Sequence, residues 1–208
     1  MTKKDLKKLL TKLKQIEESK LELEQYQTDP DIVASVVWHA YLSGEIENKQ
    51  VADLGCGNGI FGIASLILGA KKCFFLDLDK NAIKITKENI KLIEEELGKK
   101  FDAEFLNKDI SEFKEKVDTI LQNPPFGIQS EKHTDRNFLI KAMTSATTIY
   151  SIHSADSGDF VNKLAKDHNF TATIFEELNF PVKHTYSFHK HEKSTVKATI
   201  WKIESFKR

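Results

Sequence analysis

The chain has 208 residues, 31 basic and 31 acidic side chains and 40% hydrophobic content, which fits one ordinary globular domain with at most a short appendage. Its two cysteines, Cys56 and Cys73, are too few for a disulfide framework or a four-cysteine zinc site, so no metal site is expected and a reducing, intracellular compartment is the simplest reading. The lysine-rich start is followed by no apolar block, and no uninterrupted apolar run could span a bilayer, so the expected setting is the cytoplasm.

The net charge of zero is unevenly spread. Residues 1–14 carry six lysines against Asp5, and residues 182–208 carry six lysines and Arg208 against Glu192 and Glu204, so each end is +5 and the middle is −10. If the two ends share a face, they form a basic surface for a polyanion; the alternative is a solvated lysine face without a partner.

Leu6, Leu9, Leu10, Leu13 and Ile16 recur at helical spacing, which predicts an amphipathic helix from residue 3 to about 24. "TDPDIVASVVWHAYL" predicts a second helix, with Thr28 or Asp29 as its cap and Pro30 in its first turn. From residue 50, short β-rich runs alternate with helical ones. "QVADLG" precedes a helix from Ile60, and "CFFLDLD" precedes a helix from Lys80 through Leu97. "DAEFLNKD" and "VDTILQN" follow, then a helix near Phe138–Thr147, "TIYSIHS", and a helix through Leu164. The alternation predicts a doubly wound, mostly parallel Rossmann-like sheet of seven strands. Its last two strands, "TATIFEELNF" and "TVKATIWKI", have no helix between them and are expected as an antiparallel hairpin at one edge. The whole, 1–208, is expected to be a single domain, with a helical extension at 1–45 and a core at 46–208.

"VADLGCGNGIFG" ends the first strand and opens a helix, at the carboxyl end of the sheet where such folds bind ligands. Gly55, Gly57 and Gly59 let the backbone approach a ligand, and the helix N-terminus offers amide N–H groups to an anion. "GNGIFG" at 57–62 formally satisfies the G-x-G-x-x-G dinucleotide fingerprint, with Asp77 at the distance of a ribose-binding acid. Two features favour S-adenosyl-L-methionine instead. Asp53, just before the first glycine, can attract the ligand's cationic methionine end, and further acids end the later strands. Asp77 is expected to accept from the ribose hydroxyls and Asp109 from the adenine amine, with Ile110 packing nearby. Asp79 reads as a helix cap, and Asp109 could be one too.

The fourth strand leaves the sheet through "NPPF", Asn123 to Phe126. Residues before prolines are held extended, so the Asn123 side-chain oxygen and the Pro124 carbonyl form a preorganised acceptor pair, while Pro125 has no N–H to compete. An exocyclic amine on a nucleobase has two N–H donors that such a pair holds at once. That draws the nitrogen toward tetrahedral geometry and frees its lone pair for a cationic methyl donor. Phe126 supplies a face for the base to stack on, and the base must leave any duplex it occupies. The structural alternative is a proline-stabilised turn with Phe126 in the core.

"DLGCGNG" followed by "QNPPFG" resembles the class I, S-adenosylmethionine-dependent amino-methyltransferases with an NPPF-type motif. The chain is most similar to the archaeal and eukaryotic methyltransferase-like family acting on adenine N6 of small-subunit rRNA. The similarity runs through "LEQYQT", "DLGCGNG", "LDLD", "NPPFG", "HTDRNFL", "IYSIH" and "YSFHK" in the family's order. The resemblance implies cofactor contacts from Gln25, Thr28, Gly55, Asn58, Ile60, Asp77, Asp109 and Ile110, and a catalytic motif at Asn123, Pro124, Pro125 and Phe126. It places Lys132, His133 and Asp135 at the border of the base pocket, with His153 and "FHKH" at 188–191, including His189 and Lys190, toward RNA. His133 stands where the family commonly has glycine. The resemblance further implies a small zinc-binding activator protein paired with a sheet edge, and the apolar "CFFLDLD" is consistent with an edge needing cover. Other functions for the same motifs are methyl transfer to a protein glutamine amide, methyl transfer to DNA amino groups, and an inactive RNA-binding or assembly factor.

Overall fold

A computed structural model of the chain describes residues 1–16, 28–125, 134–182 and 194–206. The core is a seven-stranded sheet of β1 (Gln50–Leu54), β2 (Lys72–Asp77), β3 (Ala103–Asn107), β4 (Thr119–Gln122), β5 (Thr148–Ser154), β6 (Phe170–Val182) and β7 (Ser194–Ser205). The strand order is β3-β2-β1-β4-β5-β7-β6. The pairings from β3 across to β5 are parallel, whereas β7 runs antiparallel to both β5 and β6. The expected doubly wound sheet with a terminal antiparallel hairpin is therefore present. The chain order reverses between β1 and β4, and there the carboxyl ends of two neighbouring strands diverge to leave a crevice.

The two faces of the sheet are covered by different helices. Leu6, Leu9 and Leu10 of α1 (Lys3–Leu10), Val33 to Ala40 of α2 (Pro30–Leu42), the buried face of α3 (Ile60–Ile67) and Ile83, Ile90 and Ile93 of α4 (Lys80–Leu97) pack on one face against Val51, Phe75 and Leu121. Phe138, Leu139 and Ala142 of α5 (Thr134–Ser145) and Val161 and Leu164 of α6 (Gly158–Asp167) pack on the other, against Leu54, Ile120 and Ile149. The odd and even residues of each strand thus serve different cores, as a two-residue period requires of a doubly covered sheet.

Three sequence expectations differ from this structure. The first helix ends at Leu10 with Thr11 as its C-cap, short of residue 24, because the chain turns there to bond across the fold: the Lys14 amide donates to Asn89 Oδ1 at 2.8 Å. "CFFLDLD" is not an edge. Its strand β2 lies between β1 and β3, and the edges of the sheet among the described residues are β3 and β6. The fifth helix begins at Thr134, four residues before the expected Phe138.

The charge asymmetry is also partly neutralised. Lys7, Lys12 and Lys14 pair with Asp31, Glu96 and Glu88, and Lys202 is held between Glu45 and Glu204. No helix among the described residues is long and apolar enough to cross a membrane.

Candidate functional site

The crevice at the switch point opens into a cavity of about 720 Å³, within the ~300–1,000 Å³ typical of small-molecule sites. The glycine loop, the ends of β2 and β4, the turn after β3 and one face of α5 line it.

The loop is shaped by its glycines and by what they touch. Gly59 has φ +82°, and a Cβ there would lie 2.5 Å from Thr86 Cγ2 on α4. Gly62 sits in α3 against β2, where a Cβ would lie 2.3 Å from the Phe75 ring. The third glycine of the apparent dinucleotide fingerprint is therefore a helix-to-strand packing device, which any ligand of this fold can share. Asn58 faces the cavity, but its side-chain Nδ2 donates to the Lys14 carbonyl at 3.2 Å and to Gln15 Oε1 at 3.1 Å. Asn89, fully buried on α4, donates to the carbonyls of Lys14 (3.1 Å) and Asn58 (2.9 Å). Two asparagines thus fasten the N-terminal segment to the loop, and Ile16 at its end lines the cavity.

Asp53 is 1% exposed, and its Oδ2 accepts from the Gly62 amide at 2.8 Å. Gly59, the N-cap of α3, offers no side chain to the helix start, so Asp53 caps the helix from the strand before it. The sequence offers that helix N-terminus to an anionic ligand; at Gly62 the acceptor is the protein's own carboxyl. Burial pushes the Asp53 carboxyl up to about 8, the Gly62 amide opposes this, and the neighbouring Asp77 adds to it. Asp77 accepts from the amides of Gly57 and Asp79, each at 2.8 Å, and is itself raised by burial. Two carboxylates held by backbone amides beside one cavity, both disfavoured as anions by burial, form a site that a cationic ligand with ribose hydroxyls fits.

At the other end of the cavity Asp109 accepts from the Ser111 amide at 2.9 Å and its hydroxyl at 2.6 Å, which holds its carboxyl below the ordinary range. It caps a short 3₁₀ turn and lines the cavity, so the two readings left open by the sequence coexist. Ile110, 8% exposed, lies beside it. Asp79, as expected, caps α4 through the Asn81 amide.

Asn123 follows β4 and lines the same cavity with Pro125, while Pro124 between them is buried. Its Nδ2 donates to Thr28 Oγ1 at 3.0 Å, whereas its Oδ1 is buried with no hydrogen-bond partner among the described residues. An orphaned buried acceptor is costly unless a ligand completes it, by about 1–3 kcal/mol.

Of the expected site residues, Thr28, Asp53, Gly55, Gly57, Asn58, Ile60, Asp77, Asp109, Ile110, Asn123 and Pro125 line one cavity, with Gly59 and Pro124 supporting it. His153 differs. It is 1% exposed on β5 rather than turned toward RNA; burial holds it down at about 4, so it is neutral near pH 7. Its Nε2 lies 2.7 Å from Ser151 Oγ, which accepts from Gln122 Nε2 at 3.0 Å. Gln25, Phe126, Lys132, His133, His189 and Lys190 lie outside the described residues. Sequence reasoning missed Phe138, Cys56 and Lys141 in the wall, and Asn89 behind it. Phe138 would lie 3.1 Å from a Cβ at Gly55, so α5 closes directly on the loop, a contact no local pattern announces. Among the described residues, no His, Cys, Asp and Glu cluster could hold a metal ion.

Comparison with known proteins agrees with this geometry. The sequence model for "Ribosomal protein L11 methyltransferase (PrmA)" matches residues 14–124, which span the loop and β1 to β4. An rRNA N(6)-adenosine-methyltransferase of Danio rerio is 34% identical, over 91% of this chain and 92% of its own. An uncharacterized protein of Methanocaldococcus jannaschii is 36% identical, over 97% of this chain and 94% of its own. The crystal structure of a proposed RNA methyltransferase from Pyrococcus horikoshii superposes with a TM-score of 0.83 at 36% identity, covering 99% of this chain and 97% of that one.

Proposed function

The chain belongs to the class I S-adenosylmethionine-dependent methyltransferases, within the family of the rRNA N6-adenosine methyltransferases, and from that premise we propose that it methylates the N6 amine of an adenine in structured small-subunit rRNA. The observation that carries the mechanism is that Asn123, which lines the cavity, has a buried Oδ1 with no partner among the described residues.

S-adenosylmethionine, when bound, supplies an electrophilic methyl group on a sulfonium. Asp53 balances the positive charge at the glycine loop. Asp77 retains lone pairs beyond those its amide partners use, and these receive the ribose hydroxyls; Asp109 and Ile110 receive the adenine ring. Thr28 completes this wall from the N-terminal side, with Gly55, Gly57, Asn58 and Ile60 forming its floor and Gly59 shaping the loop; Gln25 is a further cofactor contact in this proposal. Asn123 Oδ1 and the Pro124 carbonyl accept the two N–H groups of the target amine, pulling it toward tetrahedral geometry with its lone pair directed at the methyl carbon. Pro125 keeps an N–H out of this space, and Phe126 stacks on the extruded base. Lys132, His133, His189 and Lys190 contact the RNA.

Part of the same proposal is a small zinc-binding activator protein that adds a strand to β3, with the pair acting in the cytoplasm. β3 is one of the two edge strands among the described residues, and it carries the half-buried Phe105 and Leu106.

The match to a ribosomal-protein methyltransferase model favours a second reading, a protein as methyl acceptor. That match stops at Pro124, after the cofactor half, whereas the rRNA relative aligns over nearly the whole chain. Incubation with isotopically labelled S-adenosylmethionine and separate RNA, DNA and protein pools separates the readings. Label is expected as N6-methyladenosine in RNA, and Asn123→Ala is expected to keep cofactor affinity while losing most turnover. Label confined to protein overturns the RNA assignment; full turnover by Asn123→Ala overturns the two-acceptor mechanism.

A further inference from the structure

Thr28 and Asn123 are 95 positions apart in sequence, yet their side chains meet at 3.0 Å in the wall of one cavity. The geometry of the amide makes that contact consequential. A primary amide can exchange its oxygen and nitrogen by a half-turn at little steric cost, and the two orientations present opposite chemistry. With Oδ1 free, Asn123 accepts from an amine. Turned over, it presents N–H donors to a group that itself brings N–H donors. The hydrogen bond to Thr28 is the one the Asn123 amide makes among the described residues, and it leaves Oδ1 unpaired.

Both partners sit on rigid elements. Thr28 immediately precedes Asp29, whose Oδ1 takes the Asp31 amide at 2.7 Å to cap α2, with Pro30 in the first turn. The helix is fixed by Val33, Ala34, Val36, Val37 and Ala40, all 0% exposed. Asn123 leaves β4 into two prolines that hold it extended. A hydroxyl oxygen and an amide nitrogen are thus brought together from the start of a packed helix and the end of a central strand.

We propose that Thr28 is a positioning residue for methyl transfer: its hydroxyl, which can accept or donate, here accepts from Asn123 Nδ2, and this bond restrains the amide in the orientation that leaves Oδ1 for the target amine. The inference rests on the reading of Asn123 Oδ1 as an acceptor for that amine. It also gives the N-terminal extension a part in the transfer step, beyond any contact with cofactor.

The test compares Thr28→Val, which keeps shape and removes the hydroxyl, with Thr28→Ser, which restores it, in the full-length protein. An unmodified transcript of small-subunit rRNA serves as acceptor, calorimetry with S-adenosylhomocysteine reports cofactor affinity, and melting temperature reports folding. At saturating S-adenosylmethionine, Thr28→Val is expected to lower kcat by roughly ten- to hundredfold, as small misplacements of reacting groups do, with melting temperature near wild type; loss of Thr28's own contact with cofactor is read separately, in the S-adenosylhomocysteine affinity. Thr28→Ser is expected to recover most of the loss, and Thr28→Val to add little in an Asn123→Ala background. Independently of turnover, NMR should find a slowly exchanging Asn123 side-chain N–H in wild type and Thr28→Ser and a fast one in Thr28→Val. Normal turnover by Thr28→Val while Asn123→Ala is inactive overturns the inference and leaves the acceptor reading standing; normal turnover by Asn123→Ala overturns that reading itself. A loss of cofactor affinity in place of kcat, or unchanged N–H exchange in Thr28→Val, also overturns the inference.

Discussion

Asp53 combines a structural task with an electrostatic one. Its Oδ2 caps α3 through the Gly62 amide, while burial pushes the carboxyl up to about 8, so near neutral pH without cofactor it holds its proton. A cationic ligand favours the ionised form, which lowers that value on binding. The sign follows: below about pH 8 binding expels a proton, and affinity climbs with pH by at most tenfold per unit before levelling once Asp53 is ionised in both states. Calorimetry of S-adenosylmethionine binding at pH 7, in two buffers of different protonation enthalpy, is expected to show proton release, absent in Asp53→Asn. Equal apparent enthalpies in the two buffers for the wild type would sink this assignment. At this scale the acids were legible in the sequence, since each ends a strand beside the glycine loop. The Thr28–Asn123 contact was not, because it joins side chains whose meeting depends on the packing of α2.

Among the elements, the N-terminal segment and α4 meet through Asn89, whose amide satisfies the Lys14 N–H and the carbonyls of Lys14 and Asn58. If the amide is lost, the Lys14 N–H and the Asn58 carbonyl lose this partner while the Lys14 carbonyl keeps Asn58 Nδ2, and a buried unsatisfied group costs about 1–3 kcal/mol. Asn89→Leu is accordingly expected to lower the melting temperature by several degrees and to weaken S-adenosylhomocysteine binding, since the glycine loop loses its tie at Asn58. A variant that melts and binds as wild type would show that the tie contributes nothing. Element legibility follows the same division between local and distant causes. β5 was read over its observed span, Thr148–Ser154, because a β-branched run bounded by turn residues is a local signal. The first helix was read too long, because its apolar spacing continues through Leu13 and Ile16. Both are buried, but in a turn that docks on α4 rather than in a helix.

At the scale of the whole molecule, the alternation of strands and helices made the sheet and its terminal hairpin legible, and the reversal of strand order placed the cavity beside "DLGCGNG" and "NPPF". Charge was less legible. Counting lysines at the two ends gave a basic surface, but Lys7, Lys12, Lys14 and Lys202 are ion-paired with acids from distant elements, a neutralisation that composition cannot reveal. Nor could periodicity alone say which apolar strand is an edge: β2 carries the stronger apolar run and lies inside, while β3 is an edge among the described residues. Adenine methylation in small-subunit rRNA is tested most directly by nucleoside mass spectrometry of that rRNA from host cells with and without the gene. Its N6-methyladenosine is expected to fall on deletion and to return with the wild-type chain but not with Asn123→Ala; unchanged N6-methyladenosine, with a methylated glutamine lost from a ribosomal protein instead, would contradict it.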